Sequence, residues 1–539
     1  MLALLVFATH GVSLFNDGVY WDGWLLYGHY VNRDVETLLS IFRNAGSPWA
    51  GYFHWAFWLA PNPVFAYRLV AFLAAMLSTL MVFFIAQRIS ILSSRERWFI
   101  AAVFCCYPAF QAQVAIILAP MRLLYMLFFI GLYLALRSLE TSGRPALIRR
   151  ALALVIIGAS FSLNSLLVFY FPILFLIISE KHPEWSADTL PKKLLKSLRY
   201  GDLILLPFAY WAISNLIWKA TDEYSGYNQL AFSPKLWFTN FWKSIDNTIL
   251  SQFDGVMTLA GNRPMLAAFV ILMAVLFERA NSARRGTREF KDFVEISKSE
   301  NSANMLKIGL FAVVLLFCAL FPYLVVGKFP TAEGWDSRHA ALVSLPVAVL
   351  LVAIGRGVHL ILPFNLTPNL LRVFSGILVL SFVLLTCKVY LAWQVRWIKD
   401  QSFIVNLQKL PKALVDRINL FIVNDAYYIN KEFYRHYEYS VMFKMAWGSE
   451  NKIGFHPTAS HDEDWVLKNV PLRNYLLTDF RSGGCQAMVT IRPKRPETSY
   501  LKLVGNYMAY RWFYPSELPN FLSDHTTLEL SDVKCPDLK

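Results

Sequence analysis

Residues 64–87, VFAYRLVAFLAAMLSTLMVFFIAQ, form an apolar run longer than the roughly 20 residues a helix needs to cross a bilayer. The same pattern recurs along most of the chain. Apolar runs lie near 1–15, 64–87, 99–118, 120–136, 151–163, 165–179, 202–218, 264–279, 306–326, 340–362 and 371–394, separated by charged loops. Several are short, and the pairs around Pro120 and Asn164 can each be one broken helix or two short ones. The first run lacks a basic leader and a small-residue cleavage site, so it reads as a retained helix. Charged residues make up 16% of the chain, against about 25% in a soluble protein, and hydrophobic residues 56%. The expected class is a polytopic α-helical membrane protein with about 11 spans.

Charge orients the set. The alternate loops 88–98, 137–150, 181–200, 279–307 and 355–372 hold 21 Lys and Arg, whereas the opposing loops 16–63, 219–263 and 328–339 hold 8. The basic loops are therefore expected in the cytoplasm. The net charge of +14 then records membrane orientation and gives no reason to invoke nucleic acid. An inner amino terminus and eleven spans place the 16–63 loop and everything after residue 394 outside the cytoplasm. Composition changes at that point, which divides the chain into a membrane domain, 1–394, and an extracytoplasmic α/β domain, 395–539. Strand-like runs there are INLFIVND, CQAMVTI and YLKLVGNYMAY, with helical periodicity near 404–415 and 430–446. Cys485 and Cys535 are its only cysteines and could pair, whereas Cys105, Cys106, Cys318 and Cys387 lie in apolar runs. There is no Walker loop, dinucleotide fingerprint, fixed-period repeat or metal-ligand spacing.

Residues 14–30, LFNDGVYWDGWLLYGHY, carry two carboxylates among aromatics where the first run ends. Asn16-Asp17-Gly18 signals a turn, and a helix is expected from Asp22, lying amphipathically on the outer surface with Trp21, Trp24, Tyr27 and Tyr30 at headgroup level. The plain reading makes Asp17 a turn residue and Asp22 a helix cap. The sharper one makes a carboxylate at the mouth of the bundle a general base for a hydroxyl nucleophile, with the aromatics as sugar platforms.

The order of features resembles the GT-C superfamily of polyprenyl-phosphate-sugar glycosyltransferases, especially the protein O-mannosyltransferase and aminoarabinose-transferase-like branch. The likeness rests on the acidic outer loop, on SPWAGYFHWAFWLAPNPVFAYRLVAFLAAMLSTLMVFFIAQRI, on YPAFQAQVAIILAPMRLLYMLFFIGLYLALR and on GWDSRHAALVSLPVAVLL. It covers roughly residues 1–394. The family usually shows Asp-Glu or Asp-Asp at the acidic site, whereas Asp17 and Asp22 are each followed by Gly. YWDGW is the closer context, so Asp22 is favoured as base, with Asp17 second.

The resemblance implies an inverting transfer of one sugar from a polyprenyl-phosphate carrier to an extracytoplasmic acceptor, in a bacterial inner (plasma) membrane. Cations must then hold the departing phosphate. Arg338 and Arg122 are the first candidates, with His339 and Lys328 beside them, and His54 is a candidate sugar or acceptor contact. Asp336 is close enough in sequence to pair with Arg338. Expected partners are the lipid-linked donor, the acceptor and membrane lipids. No metal or other cofactor is required. The alternatives are an envelope-polysaccharide polymerase or ligase, a lipid-linked-sugar transporter, and a non-catalytic scaffold with the same bundle.

Overall fold

The structure is a computed structural model that describes residues 1–181, 198–226, 229–262, 270–271, 298–361, 367–427, 433–459, 472–478, 480, 484–494 and 499–535. Among the described residues, five helices are long and apolar enough to cross a membrane: Pro63–Ala86, Ile116–Leu139, Ser302–Leu324, Ser344–Ile361 and Leu371–Leu407. Several long apolar helices make this a helical membrane protein. The other expected runs form shorter or less apolar helices: Leu2–His10, Ser94–Cys106, Gly143–Ser160, Ser165–Lys181 and Gly201–Ile217. The run 264–279 lies outside the described residues except for 270–271.

Both doubtful pairs are separate helices. Ser94–Cys106 stops because Tyr107, which precedes Pro108, is extended (φ −63°, ψ 122°). A residue before proline is driven out of the helical region. Two short 3₁₀ turns, Gln111–Val114 and Ile116–Leu118, then lead into Ala119–Leu139, whose Pro120 sits in the first turn, where it needs no hydrogen bond. Around Asn164, a turn at 161–164 separates Gly143–Ser160 from Ser165–Lys181.

The helix expected from Asp22 does start there but is two helices, Asp22–Asn32 and Val35–Asn44. Arg33 closes the first in the left-handed region (φ 55°), and the Asp34 side chain caps the second by accepting from the Thr37 amide at 3.1 Å. Nor does the first helix lie on a surface. Trp24, Leu26, Gly28 and His29 are buried. A Cβ on Gly28 would stand 2.1 Å from Leu476, and one on Gly23 3.1 Å from Ile116. Glycines let this helix slot between the bundle and the C-terminal part.

The last helix, Thr367–Leu407, is 41 residues long, about 60 Å. The boundary expected at 394/395 falls inside it. Tyr20 donates from its hydroxyl to the Trp393 carbonyl at 2.6 Å, so the opening loop meets the helix there and about 20 Å of helix continues beyond. A four-stranded sheet, ordered β2-β1-β3-β4, packs with its helices beside that extension. It consists of β1 (Ile418–Asp425), β2 (Ile453–Phe455), β3 (Cys485–Pro493) and β4 (Thr526–Lys534). The β1 strand pairs in parallel with β2 and β3, and β3 pairs antiparallel with β4. The first two expected strands are β1 and β3. YLKLVGNYMAY is instead the helix Tyr500–Phe513, with Leu503, Val504 and Tyr507 buried at one-turn spacing. Of the expected helices, 430–446 corresponds to His436–Trp447, while 404–415 is the end of the long helix followed by one turn, Lys412–Val415.

One apolar cluster runs without interruption from Val19–Leu26 through Ala112–Ala119, Trp335 and Tyr390–Leu407 into β1 and β3. Buried charges stitch the same junction. Arg396 pairs with Glu438 at 3.1 Å, Lys399 with Asp425, and the Tyr434 hydroxyl donates to Asp400.

Candidate functional site

Trp21 organises the opening loop. Its backbone is held at φ 50°, ψ −130°, a conformation that L side chains rarely adopt. Its amide donates to Glu438 at 3.2 Å, and the residue is 1% exposed. The indole packs between Trp393 (4.2 Å between centroids) and Trp335 (5.1 Å). Trp24 is fully buried, 5.5 Å from Trp397. Both tryptophans are core residues whose rings pack against Trp335, Trp393 and Trp397.

Both carboxylates of this loop meet cations from the far end of the chain. Asp17 pairs with Arg511 of the Tyr500–Phe513 helix. Asp22 pairs with Arg435 at 3.4 Å and accepts from the Tyr437 hydroxyl. The Asp22 side chain is 34% exposed and that of Arg435 47%, so this pair faces solvent, whereas Tyr437 is buried. Burial and the neighbouring Asp22 push the Tyr437 phenol well above its usual pKa, so it stays a donor.

The cationic loop arrives through Trp335. Arg338 lies 4.3 Å over the face of that ring and pairs with Asp336 at 3.0 Å, the partner its sequence position suggested. Trp335 thus touches Trp21 on one side and Arg338 on the other. His339 donates from Nδ1 to the Phe329 carbonyl (3.4 Å) and lies 4.6 Å from the Tyr323 ring. Burial, aided by Arg338, lowers its pKa to about 4. The ammonium of Lys328 is lowered from its usual value by burial and by Arg338. Arg338, His339, Asp336 and Lys328 therefore share one electrostatic neighbourhood.

Arg122 stands apart from that group, although a turn connects them. Its guanidinium donates to Gln113, one residue beyond Ala112, whose amide donates to Ser337 Oγ at 2.8 Å. Gln111 reaches the Ala332 carbonyl at 2.9 Å. Arg122 points into a small cavity in the bundle lined by His10, Arg68, Gln113 and Tyr390, among others. His54 is fully buried, hydrogen-bonded to the Tyr67 hydroxyl at 2.8 Å and tilted against the Phe42 ring at 4.9 Å between centroids. Burial lowers its pKa to about 3. Its ring sits in an aromatic cluster with Phe42, Phe53 and Tyr67.

Sequence reasoning missed Arg68, Arg435, Tyr437, Glu438 and Arg511. Arg68 alone carried a local signal, a charge inside an otherwise apolar run. It is 3% exposed and donates to the Asn16 carbonyl (3.0 Å), the Gly18 carbonyl (2.6 Å) and Val114 O, fastening the loop to the bundle. The other four act across more than 400 residues of sequence and leave no periodic trace. Among the described residues, no group of three or more His, Cys, Asp or Glu could hold a metal ion. In comparisons with known proteins, the chain matches no family model, no curated protein and no solved structure.

Proposed function

We propose that this chain is an integral-membrane glycosyltransferase that moves a sugar, with inversion, from a polyprenyl-phosphate carrier to a hydroxyl of an extracytoplasmic acceptor. The reading includes about eleven spans, an outward site in a bacterial inner membrane, and residues 395–539 outside the cytoplasm. The observation that supports it best is the Trp21–Trp335–Arg338 stack. It brings the acidic loop and the cationic loop, some 300 residues apart, to one end of the bundle.

In this mechanism Asp22 accepts the proton of the acceptor hydroxyl as that oxygen attacks the anomeric carbon and the lipid phosphate departs. The Asp22–Arg435 pair faces solvent and is therefore weak enough to be exchanged for the incoming hydroxyl. Tyr437 keeps the carboxylate oriented by donating to one oxygen. Arg338, with Lys328 close by, neutralises the leaving phosphate, and Arg122 supports the turn behind them. A second reading draws on the pairs Asp17–Arg511 and Asp22–Arg435: both carboxylates pin the C-terminal part onto the bundle, as a scaffold requires.

Transfer from a polyprenyl-phosphate sugar, assayed on purified variants together with thermal stability, separates the two. Asp22→Asn should lower transfer by about 10²–10⁴-fold, the usual contribution of a general base, while the protein remains folded. Arg338→Ala should weaken donor binding as well as turnover. Full activity in both Asp22→Asn and Asp17→Asn would sink the base assignment. A loss of stability with no donor binding in any form of the protein would favour the scaffold.

A further inference from the structure

The helix Tyr500–Phe513 packs Leu503, Val504 and Tyr507 inward and runs into three consecutive exposed aromatics. Trp512 is 52% exposed, Phe513 73% and Tyr514 55%. Contiguous apolar side chains of this size on a surface mark a contact with something apolar. Their neighbour identifies it. The Trp512 ring lies edge-to-face with Phe15, 5.7 Å between centroids. Phe15 ends the first apolar segment, Leu2–Phe15, whose Leu4, Phe7 and Phe15 are also exposed.

The level of this contact follows from the helices behind it. Phe7 meets Phe72 of the membrane-length helix Pro63–Ala86, at 6.3 Å between centroids. Arg68 of that helix holds the Asn16 carbonyl, so the segment ends near its outer turns, where Phe65 and Leu69 are likewise exposed. Trp512 therefore continues a stripe that faces lipid, at the depth where the apolar helices leave the membrane. Arg511, next in the chain, is tied to Asp17 and fixes the aromatics at that depth. Tryptophan and tyrosine, apolar rings with a polar edge, are the side chains that suit this layer.

We propose that Trp512, Phe513 and Tyr514 insert into the interfacial layer of the bilayer that holds the apolar helices, giving the C-terminal part a second attachment to the membrane besides the long helix. This rests on the membrane class alone and is independent of the glycosyltransferase reading.

The test uses the full chain with Cys105, Cys106, Cys318 and Cys387, its four free cysteines, replaced by alanine and the protein reconstituted in phosphatidylcholine–phosphatidylglycerol vesicles. Spin labels are attached singly at Phe513→Cys, Tyr514→Cys, lipid-facing Leu4→Cys and Lys409→Cys, the last lying beyond the far end of the long helix. Power saturation compares access to oxygen, which partitions into lipid, with access to a water-soluble nickel chelate. The ratio at 513 and 514 should shift from the Lys409 value towards the Leu4 value. A ratio equal to that at Lys409 would overturn the proposal. Exclusion of both reagents would also overturn it, in favour of a protein partner or a second copy. A label-free arm guards against disturbance by the label. Brominated lipid should quench less of the total tryptophan emission in Trp512→Phe than in the unaltered chain, and equal quenching would count against insertion.

Discussion

Glu438 is fully buried and accepts from three donors on different parts of the chain: the Arg396 guanidinium (3.1 Å), the Trp21 amide (3.2 Å) and the Arg435 amide (2.8 Å). It thereby holds the strained opening turn, the long helix and the start of the His436–Trp447 helix at one point. Removing one member of a buried pair leaves the other charge without compensation, at a cost of about 3–5 kcal/mol. Glu438→Ala should lower the thermal midpoint of the purified protein clearly, and Glu438→Gln, which keeps size and some hydrogen bonding, by less. An unchanged midpoint in Glu438→Ala would contradict this role. A second residue-scale prediction concerns acid. Burial and the adjacent Arg435 lower the pKa of His436 to about 4, against 6.5 in the unfolded chain. Between these values the unfolded state binds more protons than the folded state, so this contribution is complete above about pH 6.5 and is lost as pH falls towards 4. His525, lowered to about 4 by burial and Lys399, acts in the same direction. Thermal midpoints measured from pH 7 to 4 should fall, and His436→Gln should flatten part of that slope; an identical slope in the variant would exclude His436 as a source.

At the scale of elements, the disulfide Cys485–Cys535 joins the start of β3 to the end of β4 across 50 residues. The sequence leaves the pairing open, since two lone cysteines in one region specify no geometry. Strand pairing decides it: Gln486 is opposite Lys534, so the neighbouring cysteines come together. Replacing both by serine should destabilise the sheet region by about 2–5 kcal/mol without directly altering the Asp22 neighbourhood. Proteolysis under non-reducing conditions would check this, with faster cleavage in 485–535 expected and wild-type resistance the contrary result. The same region shows why YLKLVGNYMAY reads as a strand but folds as a helix. Its three tyrosines and Val504 suit either structure, and only the burial of Leu503, Val504 and Tyr507 on one face reveals a helix. The long helix hid its own length for a related reason. Beyond Trp393 it buries Arg396, Lys399 and Asp400 against partners from distant segments, and a hydropathy reading ends where charges begin.

Over the whole molecule, contacts between the opening loop and the C-terminal part require both to lie on one side of any membrane. Asp17–Arg511, Asp22–Arg435 and the shared apolar cluster all cross that junction. A membrane-impermeant maleimide should therefore label Glu36→Cys and Lys409→Cys from the same side, and Ser142→Cys, in a basic loop, only after permeabilisation. Labelling of 36 and 409 from opposite sides would break the common core, and labelling of both from within would reverse the orientation. The sequence by itself determined the membrane class and the positions of most apolar helices, because lipid demands long uninterrupted apolar runs that are visible locally. It also showed the helix start at Asp22 and the two best strands, each a short-range matter of caps and propensities. Only the tertiary structure decided what the two carboxylates touch, that Trp21 and Trp24 are enclosed, and that the C-terminal part shares a core with the first loop. Those outcomes depend on packing and charge pairing between segments hundreds of residues apart, and no local pattern encodes such pairings.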